Sequence, residues 1–475
     1  MVWRHFLQGL SPQGGHAPSL QSRCRVAAVC LTILLLATGA SNAQEPATAA
    51  TAAPSCGVRE PGDARPRIGL ALGGGGARGI AHISVLRKIE ELRIPVDCVA
   101  GTSMGALVGG LYASGMSVDD MEDLVLSTDW KRLFDDTIER AERSYRRKQD
   151  DRESLTTVGV GISRGRLKVS PGVLQGERIL AMFERSTVGV SAIADFDELP
   201  IPYRAIATDL NTGDAVVLDH GSLAMAMRAS MSLPGIFQPV EIDGRVLLDG
   251  GLVNQVPVDV VRSMGADVVI AVDVGTPLEQ LDRNASLLQV ISQMTGMLTT
   301  GNTRRQLATI AASDVLIVPQ LGTTVATGDF DKGREALAIG EQAAAAAQTD
   351  LARLSVPEAR YATTRPPPPS SNLPVIEFVR LDNETPYADE LLLSRLHIKV
   401  GEPLDTDVVE AGLLRTYSMG TLASIIYEVV EEDGRTGVLV SARSKPQGPN
   451  YLQLGLTHYQ DFDGTFESGL KAAIL

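Results

Sequence analysis

The sequence predicts an α/β fold with a mostly parallel central sheet, followed by a small α+β domain. From Arg67 to about Leu354, apolar β-branched runs alternate with stretches of helical periodicity, which is the order of βαβ units. Several of these runs are apolar throughout, as are strands buried on both faces of a parallel sheet. Four consecutive prolines at 366–369 then interrupt the pattern and predict a stiff spacer between two domains.

The first 43 residues have the features of a secretory signal. Arg23 and Arg25 precede the apolar stretch Val26–Ala37, and Ser41-Asn42-Ala43 supplies a small-x-small cleavage site. The stretch is shorter than the roughly 20 residues of a transmembrane helix, although an uncleaved anchor stays open as an alternative. We therefore expect an exported protein cleaved after Ala43, with a disordered Ala/Thr/Pro-rich segment at 44–66.

Composition restricts the classes of partner. The chain is globular in composition and carries a formal net charge of −14, which argues against nucleic acid because phosphate binding requires a basic face. Beyond the predicted signal only Cys56 and Cys98 remain, so we expect an exported protein that does not rely on disulfides. The Cys and His spacings do not suggest zinc, and we expect no metal.

The segment 67–355 is predicted to form one α/β domain. Its predicted strands are Ile68–Leu72, Val96–Ala100, Tyr203–Thr208, Asp267–Val274 and Asp314–Pro319. Its predicted helices are Ile80–Leu92, Ser117–Ser127, Pro171–Glu184 and Arg334–Leu354. Strands that alternate with helices in this way predict a parallel sheet covered on both faces.

A Pro-rich linker at 356–373 separates this domain from a smaller one at 374–445. The predicted order there is β-α-α-β-β, from Pro374–Leu381, Tyr387–Leu396, Thr406–Tyr417, Leu422–Glu431 and Thr436–Arg443. In the last segment, 446–475, Tyr451–Tyr459 alternates with period two, a turn follows at Asp461–Gly464, and alternation resumes to Leu475. This final segment is predicted to form a β-hairpin.

Ser103 lies in the Gly-x-Ser-x-Gly pattern Gly101–Gly105. The residues before it predict a short buried strand, and Met104–Ala113 predicts a helix rich in small apolar residues. Strand, sharp turn and helix is the geometry that exposes a serine hydroxyl and places the next backbone N–H at a helix N-terminus. Ser103 is therefore a candidate nucleophile.

A second Gly-x-Ser-x-Gly match surrounds Ser163 at Gly161–Gly165. It lies between Leu155–Val160 and Arg166–Val169, which predict strand, turn and strand. A serine in a hairpin turn has no helix N-terminus behind it, so we interpret Ser163 as a structural turn residue.

The first predicted strand leads into the glycine-rich loop Gly73–Gly79. A loop of this kind presents backbone N–H groups to an anion. It lacks the Gly-Lys-Ser/Thr of a phosphate loop, but it satisfies a dinucleotide-binding pattern, for which Asp97 would be the ribose-binding acid. Asp97 lies at the start of the second predicted strand, whereas a ribose-binding acid belongs at its C-terminal end, so we favour an oxyanion hole for acyl transfer over nucleotide binding.

A nucleophilic serine needs a base, and the histidines do not provide an obvious one. His82 follows the glycine loop in a helix, and His220 lies in a turn. Aspartates at strand ends are the alternative, and the candidates are Asp249 in Asp-Gly-Gly, Asp209 and Asp273. The residues alone leave these candidates open.

Four blocks in order resemble patatin-like phospholipases. They are Gly73–Gly79 (GGGGARG), Gly101–Gly105 (GTSMG), Arg228–Val240 (RASMSLPGIFQPV) and Asp249–Gly251 (DGG). The resemblance covers about residues 68–350 and implies an α/β sandwich with a Ser–Asp dyad that uses neither histidine, metal nor cofactor. It implies Ser103 as nucleophile and Asp249 as general base, within the motif glycines Gly101, Gly105, Gly250 and Gly251. It also implies an oxyanion hole formed by the backbone amides of Gly74, Gly75, Gly76, Ala77, Arg78 and Gly79.

The β-α-α-β-β unit resembles a POTRA domain, and the final hairpin resembles the start of an outer-membrane β-barrel. This order is similar to bacterial patatin–POTRA–barrel proteins of the type V secretion class. Two strands cannot close a barrel, so we expect the barrel to be incomplete in this chain. The expected location is the outer membrane or cell surface for the complete architecture, and the periplasm or exterior for the chain as it stands.

The resemblance implies a secreted serine lipid acylhydrolase that acts on phospholipids or lysophospholipids at a membrane surface. A homodimer stays open. The alternative is that the lipase-like domain is an inactive cargo or scaffold, carried on a POTRA–barrel module that performs translocation or assembly.

Overall fold

The computed structural model describes residues 55–57, 65–134, 160–163, 166–168, 172–278, 280, 283, 287–364, 373–445, 450–460 and 466–474. The predicted signal at 1–43 and the four prolines at 366–369 lie outside these residues.

Along the described chain, strands and helices alternate through the larger domain. The strands are β1 (Ile68–Leu72), β2 (Cys98–Thr102), β3 (Val160–Ser163), β4 (Arg166–Lys168), β5 (Gly172–Leu174), β6 (Tyr203–Asp209), β7 (Ala215–Leu218), β8 (Gly235–Phe237), β9 (Val240–Ile242), β10 (Arg245–Asp249), β11 (Val268–Val272), β12 (Val315–Ile317), β13 (Phe378–Glu384), β14 (Leu422–Glu432), β15 (Arg435–Ser444), β16 (Asn450–Gln460) and β17 (Phe466–Ile474). The helices are α1 (Ala81–Glu91), α2 (Met104–Ala113), α3 (Val118–Ser127), α4 (Trp130–Leu133), α5 (Glu177–Thr187), α6 (Leu223–Ser230), α7 (Val258–Ser263), α8 (Leu287–Leu307), α9 (Gly333–Ala346), α10 (Gln348–Ala352), α11 (Glu358–Thr364), α12 (Asp389–Leu396) and α13 (Thr406–Tyr417).

The central sheet of the larger domain has the order β12-β11-β1-β2-β6-β10-β9. Strand β7 lies outside this order and pairs with β6. The strands from β12 to β6 are parallel, whereas β10, β9 and β7 run antiparallel to their neighbours. The mostly parallel sheet predicted from the sequence is therefore confirmed. Because β1 and β2 are adjacent and parallel, the glycine loop and Ser103 that follow them lie at the same edge of the sheet.

Both faces of the sheet are covered, which explains why its strands are apolar throughout. Leu70 and Leu72 of β1 belong to the main core, whereas Ala71 belongs to a second cluster on the opposite face. In β11, Ile270 and Ala271 are divided between the two clusters in the same way. Successive side chains of a strand point to opposite faces, so a strand covered on both sides has no position for a polar residue.

The prediction of one helix at Pro171–Glu184 is wrong. The chain instead forms β5, then Gly176 with φ 79°, and only then α5. A β-carbon at Gly176 would lie 2.6 Å from Nε of Arg228, so the position needs glycine for space as well as for its left-handed backbone. The Pro-rich linker predicted at 356–373 also contains a helix, α11.

A disulfide between Cys56 and Cys98 corrects the expectation that the protein does not rely on disulfides. Cys56, which we placed in a disordered segment, is buried and its backbone N–H donates to the carbonyl of Met264. Cys98 begins β2, the strand that leads to Ser103, and both half-cystines belong to the second core cluster. The bond therefore attaches an N-terminal segment to the face of the sheet opposite the main core.

The smaller domain has the predicted order β-α-α-β-β. Its sheet has the order β13-β15-β14, with β13 parallel and β14 antiparallel to β15. Helices α12 and α13 contribute Leu392, Leu396 and Leu413 to a core separate from that of the larger domain. The unit therefore has its own hydrophobic core.

The two domains meet at α5 through a group of acidic side chains. Arg185 forms ion pairs with Glu410 and with Asp407 of the smaller domain. Beside it Glu184 is buried, and burial, followed by the nearby carboxylates of Glu177, Glu428 and Glu410, raises its pKa well above the usual value. The charged form of Glu184 is thus disfavoured where the domains pack.

The final segment forms the predicted hairpin, β16 paired antiparallel with β17. β16 also pairs with β3, so that Tyr451 lies opposite Gly161, and β3 pairs with β4. Ser163 ends β3 and lies opposite Arg166 in this last pair, so the two predicted strands pair as expected, whereas the turn at 164–165 lies outside the described residues. Among the described residues, the helices lack the combination of length and apolar content needed to cross a bilayer.

Candidate active site

Ser103 occupies a strained turn between β2 and α2. Its φ of 53° and ψ of −122° place a residue with a side chain in a region that costs about 1–3 kcal/mol. The flanking glycines permit the turn: a β-carbon at Gly105 would collide with the backbone carbonyl of Leu72, and one at Gly101 with that of Gly105. The two glycines of the motif are therefore required because the backbone segments approach too closely there to leave room for a side chain.

Hydrogen bonds to neighbouring segments hold the turn in place. The backbone N–H of Ser103 donates to Oγ of Ser230 at 2.9 Å, and the Ser230 hydroxyl donates to the carbonyl of Ile206 at 2.5 Å. Ser230 ends α6 and Ile206 lies in β6, so the nucleophile turn is linked to two elements beyond its own. Ser230 belongs to the sequence block that precedes Asp249, but no local pattern of residues indicates its contact with Ser103.

Asp249 ends β10, and the hydroxyl of Ser103 lies close enough to its carboxylate to favour the charged form and lower its pKa. The carboxylate accepts a hydrogen bond from the backbone N–H of Gly251 at 2.7 Å. Burial raises the pKa of Asp249 to about 6, while Ser103 and the bond from Gly251 lower it. The carboxyl group is therefore charged at neutral pH and ready to accept the serine proton.

The other candidate bases have other partners. Asp209 accepts from the backbone N–H groups of Asn211 and Thr212, and Asp273 accepts from that of Gly275. These are local turn contacts, and neither aspartate is bonded to Ser103 in the described structure.

The two histidines of the domain also bond elsewhere. Nε2 of His82 lies 2.8 Å from the carbonyl oxygen of Gly73. Burial lowers the pKa of His82 to about 4, so the ring is neutral and holds the start of the glycine loop through this contact. His220 is exposed and contacts Asp219 and Asp243. The structure thus places Asp249 beside Ser103, whereas the rings of His82 and His220 contact other groups.

The glycine loop offers a narrower set of amides than the six residues that the resemblance implies. The N–H groups of Gly74, Ala77 and Arg78 donate to backbone carbonyls of Gln255, Thr327 and Gly75. Gly79 serves packing, because a β-carbon there would collide with Met104. Among the described residues the amides of Gly75 and Gly76 have no acceptor. These two N–H groups are the available donors of the loop.

Arg78 has a structural role through its side chain. Its guanidinium donates to the carbonyls of Val274, Gly275, Gly322 and Val325 at 2.8–3.0 Å. Burial lowers the pKa of Arg78, and Asp273 partly offsets this effect. The side chain therefore joins the glycine loop to the segments after β11 and β12.

Gln255 and Asn302 connect the glycine loop to the Asp-Gly-Gly turn, and sequence reasoning missed both. Nε2 of Gln255 donates to the carbonyl of Gly74 at 2.5 Å, and its backbone N–H donates to Oδ1 of Asn302 at 2.8 Å. Nδ2 of Asn302 donates to the carbonyl of Gly251 at 2.8 Å. Asn302 lies on α8, far from any recognised motif, so only the folded chain reveals its role.

Asp97 lies at the opposite end of β2 from Ser103. Its carboxylate pairs with Arg65 and accepts from the backbone N–H of Ile68 at 2.6 Å. Asp97 therefore connects the N-terminal ends of β1 and β2. The glycine loop follows the C-terminal end of β1, so Asp97 cannot bind a ribose held by that loop. This placement supports the interpretation of the loop as an oxyanion hole.

The arrangement has the parts that acyl transfer requires. A hydroxyl lies beside a buried carboxylate, backbone amides lie in the adjacent loop, and α2 begins directly after the serine. An activated nucleophile and preorganised donors are the two elements that stabilise a tetrahedral oxyanion.

Residues 70–262 match the model of the family described as patatin-like phospholipase. An uncharacterized NTE family protein of Mycobacterium tuberculosis is 37% identical over 218 residues, which is 45% of this chain and 51% of the relative. Patatin-like phospholipase domain-containing protein 6 of Homo sapiens is 36% identical over 211 residues, 44% of this chain and 13% of the relative. The chain thus spans about half the length of the mycobacterial relative.

Two solved structures are also similar in part. VipD from Legionella pneumophila has a TM-score of 0.32 at 15% identity, over 60% of this chain and 67% of that one. The type III effector ExoU has a TM-score of 0.28 at 18% identity, over 62% and 54%. From the family match and the sheet topology, the chain contains a patatin-like phospholipase domain with a mostly parallel α/β sheet.

We predict that Asp249→Asn increases stability at high pH. The folded-state pKa of Asp249 is raised, so its contribution to the free energy of unfolding is greatest below about pH 4 and is lost as pH rises through about 6. Asn carries no buried charge, and we expect the variant to be more stable than wild type by roughly 2–3 kcal/mol at pH 8 but nearly equal at pH 4. Denaturant unfolding at the two pH values measures this, and a difference independent of pH would contradict it.

Proposed function

We propose that the protein is a serine lipid acylhydrolase with Ser103 and Asp249 as its catalytic dyad. The observation that carries the proposal is the position of the buried Asp249 carboxylate beside the Ser103 hydroxyl, which lowers the pKa of that carboxyl group. Both residues lie within the stretch that matches the patatin-like phospholipase family. Loss of hydrolysis on removal of either side chain tests the assignment.

The proposed reaction has two half-reactions. Asp249 accepts the hydroxyl proton as Oγ of Ser103 attacks the ester carbonyl carbon, and the amides of Gly75, Gly76 and Met104 stabilise the oxyanion. As the intermediate collapses, Asp249 returns the proton to the departing alcohol and an acyl-enzyme remains. Asp249 then takes a proton from water, the hydroxide attacks the acyl carbon, and the fatty acid leaves as the proton returns to Ser103.

Phospholipid or lysophospholipid esters are the proposed substrate class. The support is the family match, together with a site composed of neutral backbone donors around a single carboxylate. Such a site recognises an uncharged ester carbonyl and adds no cationic group of its own at the reacting atoms.

We further propose that the protein is exported and that residues 374–445 form a POTRA-like domain, in the order typical of type V secretion. The β-α-α-β-β order of the smaller domain supports the second point. The disulfide between Cys56 and Cys98 supports the first, because disulfides persist in oxidising compartments. The outer membrane, cell surface or periplasm is the proposed location.

Ser103→Ala and Asp249→Asn are each expected to reduce hydrolysis of a medium-chain p-nitrophenyl ester by about 10⁴-fold or more, since a dyad acts as a unit. Ser163→Ala is the matched control, with the same sequence pattern in a hairpin, and should retain wild-type activity. A fluorophosphonate should label wild type and Ser163→Ala but not Ser103→Ala. Near-normal activity in Asp249→Asn would reopen Asp209 and Asp273, and a wild type that neither hydrolyses nor labels would favour an inactive scaffold.

The pH dependence of kcat/KM should show an acid limb near pH 6. The base must be ionised to act, and the pKa of Asp249 is about 6, so activity should fall about tenfold per pH unit below that value. Because Asp219 raises the pKa of the exposed His220, His220→Ala serves as the control and should keep the limb. A limb that disappears in His220→Ala would contradict the assignment to Asp249.

Export should be visible as oxidation of the cysteine pair. In cells that express the full chain, Cys56 and Cys98 should resist alkylation before reduction, and the protein should fractionate outside the cytoplasm. Deletion of residues 2–43 should retain the protein in the cytoplasm with both thiols reactive after denaturation. Equal cysteine oxidation and equal fractionation of the two forms would overturn the export proposal.

A further inference from the structure

Helix α8 exposes apolar side chains to solvent. Val290, Met294, Met297 and Leu298 are 41%, 61%, 55% and 55% exposed. Their spacing places them on one face, because residues four, seven and eight positions apart lie on the same side of a helix. We call these four residues the outer face of α8.

Several polar residues of the same helix face the protein. Asn302 and Thr303 are buried, and Asn302 bonds to the Gly251 carbonyl and the Gln255 amide. A β-carbon at Gly251 would lie 3.4 Å from Cγ2 of Thr299, so Thr299 also faces the Asp-Gly-Gly turn. A surface helix of a globular protein ordinarily has the reverse pattern, apolar inside and polar outside. An inverted pattern of this kind indicates a binding surface.

The charges on α8 are all positive. Between Asn284 and Ser313 the sequence contains no Asp or Glu, in a chain with 57 acidic residues. Arg304 and Arg305 are exposed and lie at the C-terminal end of the helix, on the same side as the outer face. An apolar face bordered by arginine is typical of helices that lie in the interface of an anionic membrane.

We propose that the outer face of α8 docks the protein on a phospholipid bilayer, with Arg304 and Arg305 at the headgroups. The proposal deepens the proposed lipid hydrolysis and rests on it for the choice of partner. A second copy of the chain is a weaker fit, because a stable dimer needs about 800 Å² from each partner. Even an aromatic side chain buries only about 150–250 Å², so four half-exposed aliphatic side chains supply less than that area.

Docking through this face brings the membrane to the catalytic turn. Asn302 of the same helix holds the carbonyl of Gly251, and Gly251 holds the carboxylate of Asp249. The outer face and the Asp-Gly-Gly turn therefore lie on two sides of one helix, which is about 10 Å across.

Vesicle sedimentation with an inactive background tests the surface independently of catalysis. Ser103→Ala should bind phosphatidylcholine vesicles that contain phosphatidylglycerol. Adding Met294→Gln, Met297→Gln and Leu298→Gln should lower the partition coefficient at least tenfold. The matched control adds Val375→Gln, Leu391→Gln and Val400→Gln, which are exposed apolar positions of the smaller domain, and should bind as Ser103→Ala does. Equal binding by the α8 variant would overturn the proposal, whether or not the protein hydrolyses esters.

The arginines provide a second, electrostatic test. Arg304→Gln with Arg305→Gln should weaken binding about fivefold per arginine on phosphatidylglycerol vesicles, and high salt should abolish the difference. On vesicles of phosphatidylcholine alone the pair should have no effect. If the α8 triple variant converts a dimer to a monomer in solution while vesicle binding persists, the occupant is a second copy and the membrane proposal fails.

Discussion

The conformation of Ser103 is the constraint on which the catalytic part of the structure depends. A positive φ at a residue with a side chain persists only where the surroundings hold it. Here Gly105 packs against the backbone of Leu72, and Ser230 takes the Ser103 N–H. Leu72 ends β1 and leads directly into the glycine loop, so the same close approach that creates the strained turn also sets the distance between nucleophile and oxyanion donors. The two sequence motifs are therefore parts of one packing arrangement.

The buried carboxylate of Asp249 is the second energetically unfavourable feature of the site. Desolvation raises its pKa, and the surrounding donors lower it again by bonding the charged form. Two side chains hold the Asp-Gly-Gly turn in position. Thr208 donates to the Asp249 carbonyl, and Asn302 donates to the carbonyl of Gly251. The result is a base whose pKa lies close to the pH at which a proton acceptor works best. The acidic group at the domain boundary differs, because burial raises the pKa of Glu184 and the neighbouring carboxylates raise it further.

The sequence predicted those features that are encoded locally. Strand β1 and the Gly-x-Ser-x-Gly turn follow from runs of adjacent residues, because apolar periodicity and close glycine packing act over short distances. Contacts across the chain had no such signal: Ser230 reaches Ser103 over 127 positions, and Gln255 reaches Gly74 over 181. The disulfide was missed for the same reason, since composition alone does not show that Cys56 returns to the sheet. Helix α8 was missed because its apolar residues point away from the core, which removes the usual amphipathic signal.

The inverted pattern of α8 follows from its place in the site. A helix beside a buried carboxylate can supply hydrogen bonds to the turn that carries it, and Asn302 does so from the side that ordinarily packs in a core, where the methyl group of Thr299 also faces the turn. Polar contacts of this kind anchor a helix less strongly than hydrophobic burial, and they couple it to the catalytic turn. Apolar side chains that cannot be placed inwards then become available for another surface. The polar support of Gly251 and the apolar outer face are thus two sides of one element.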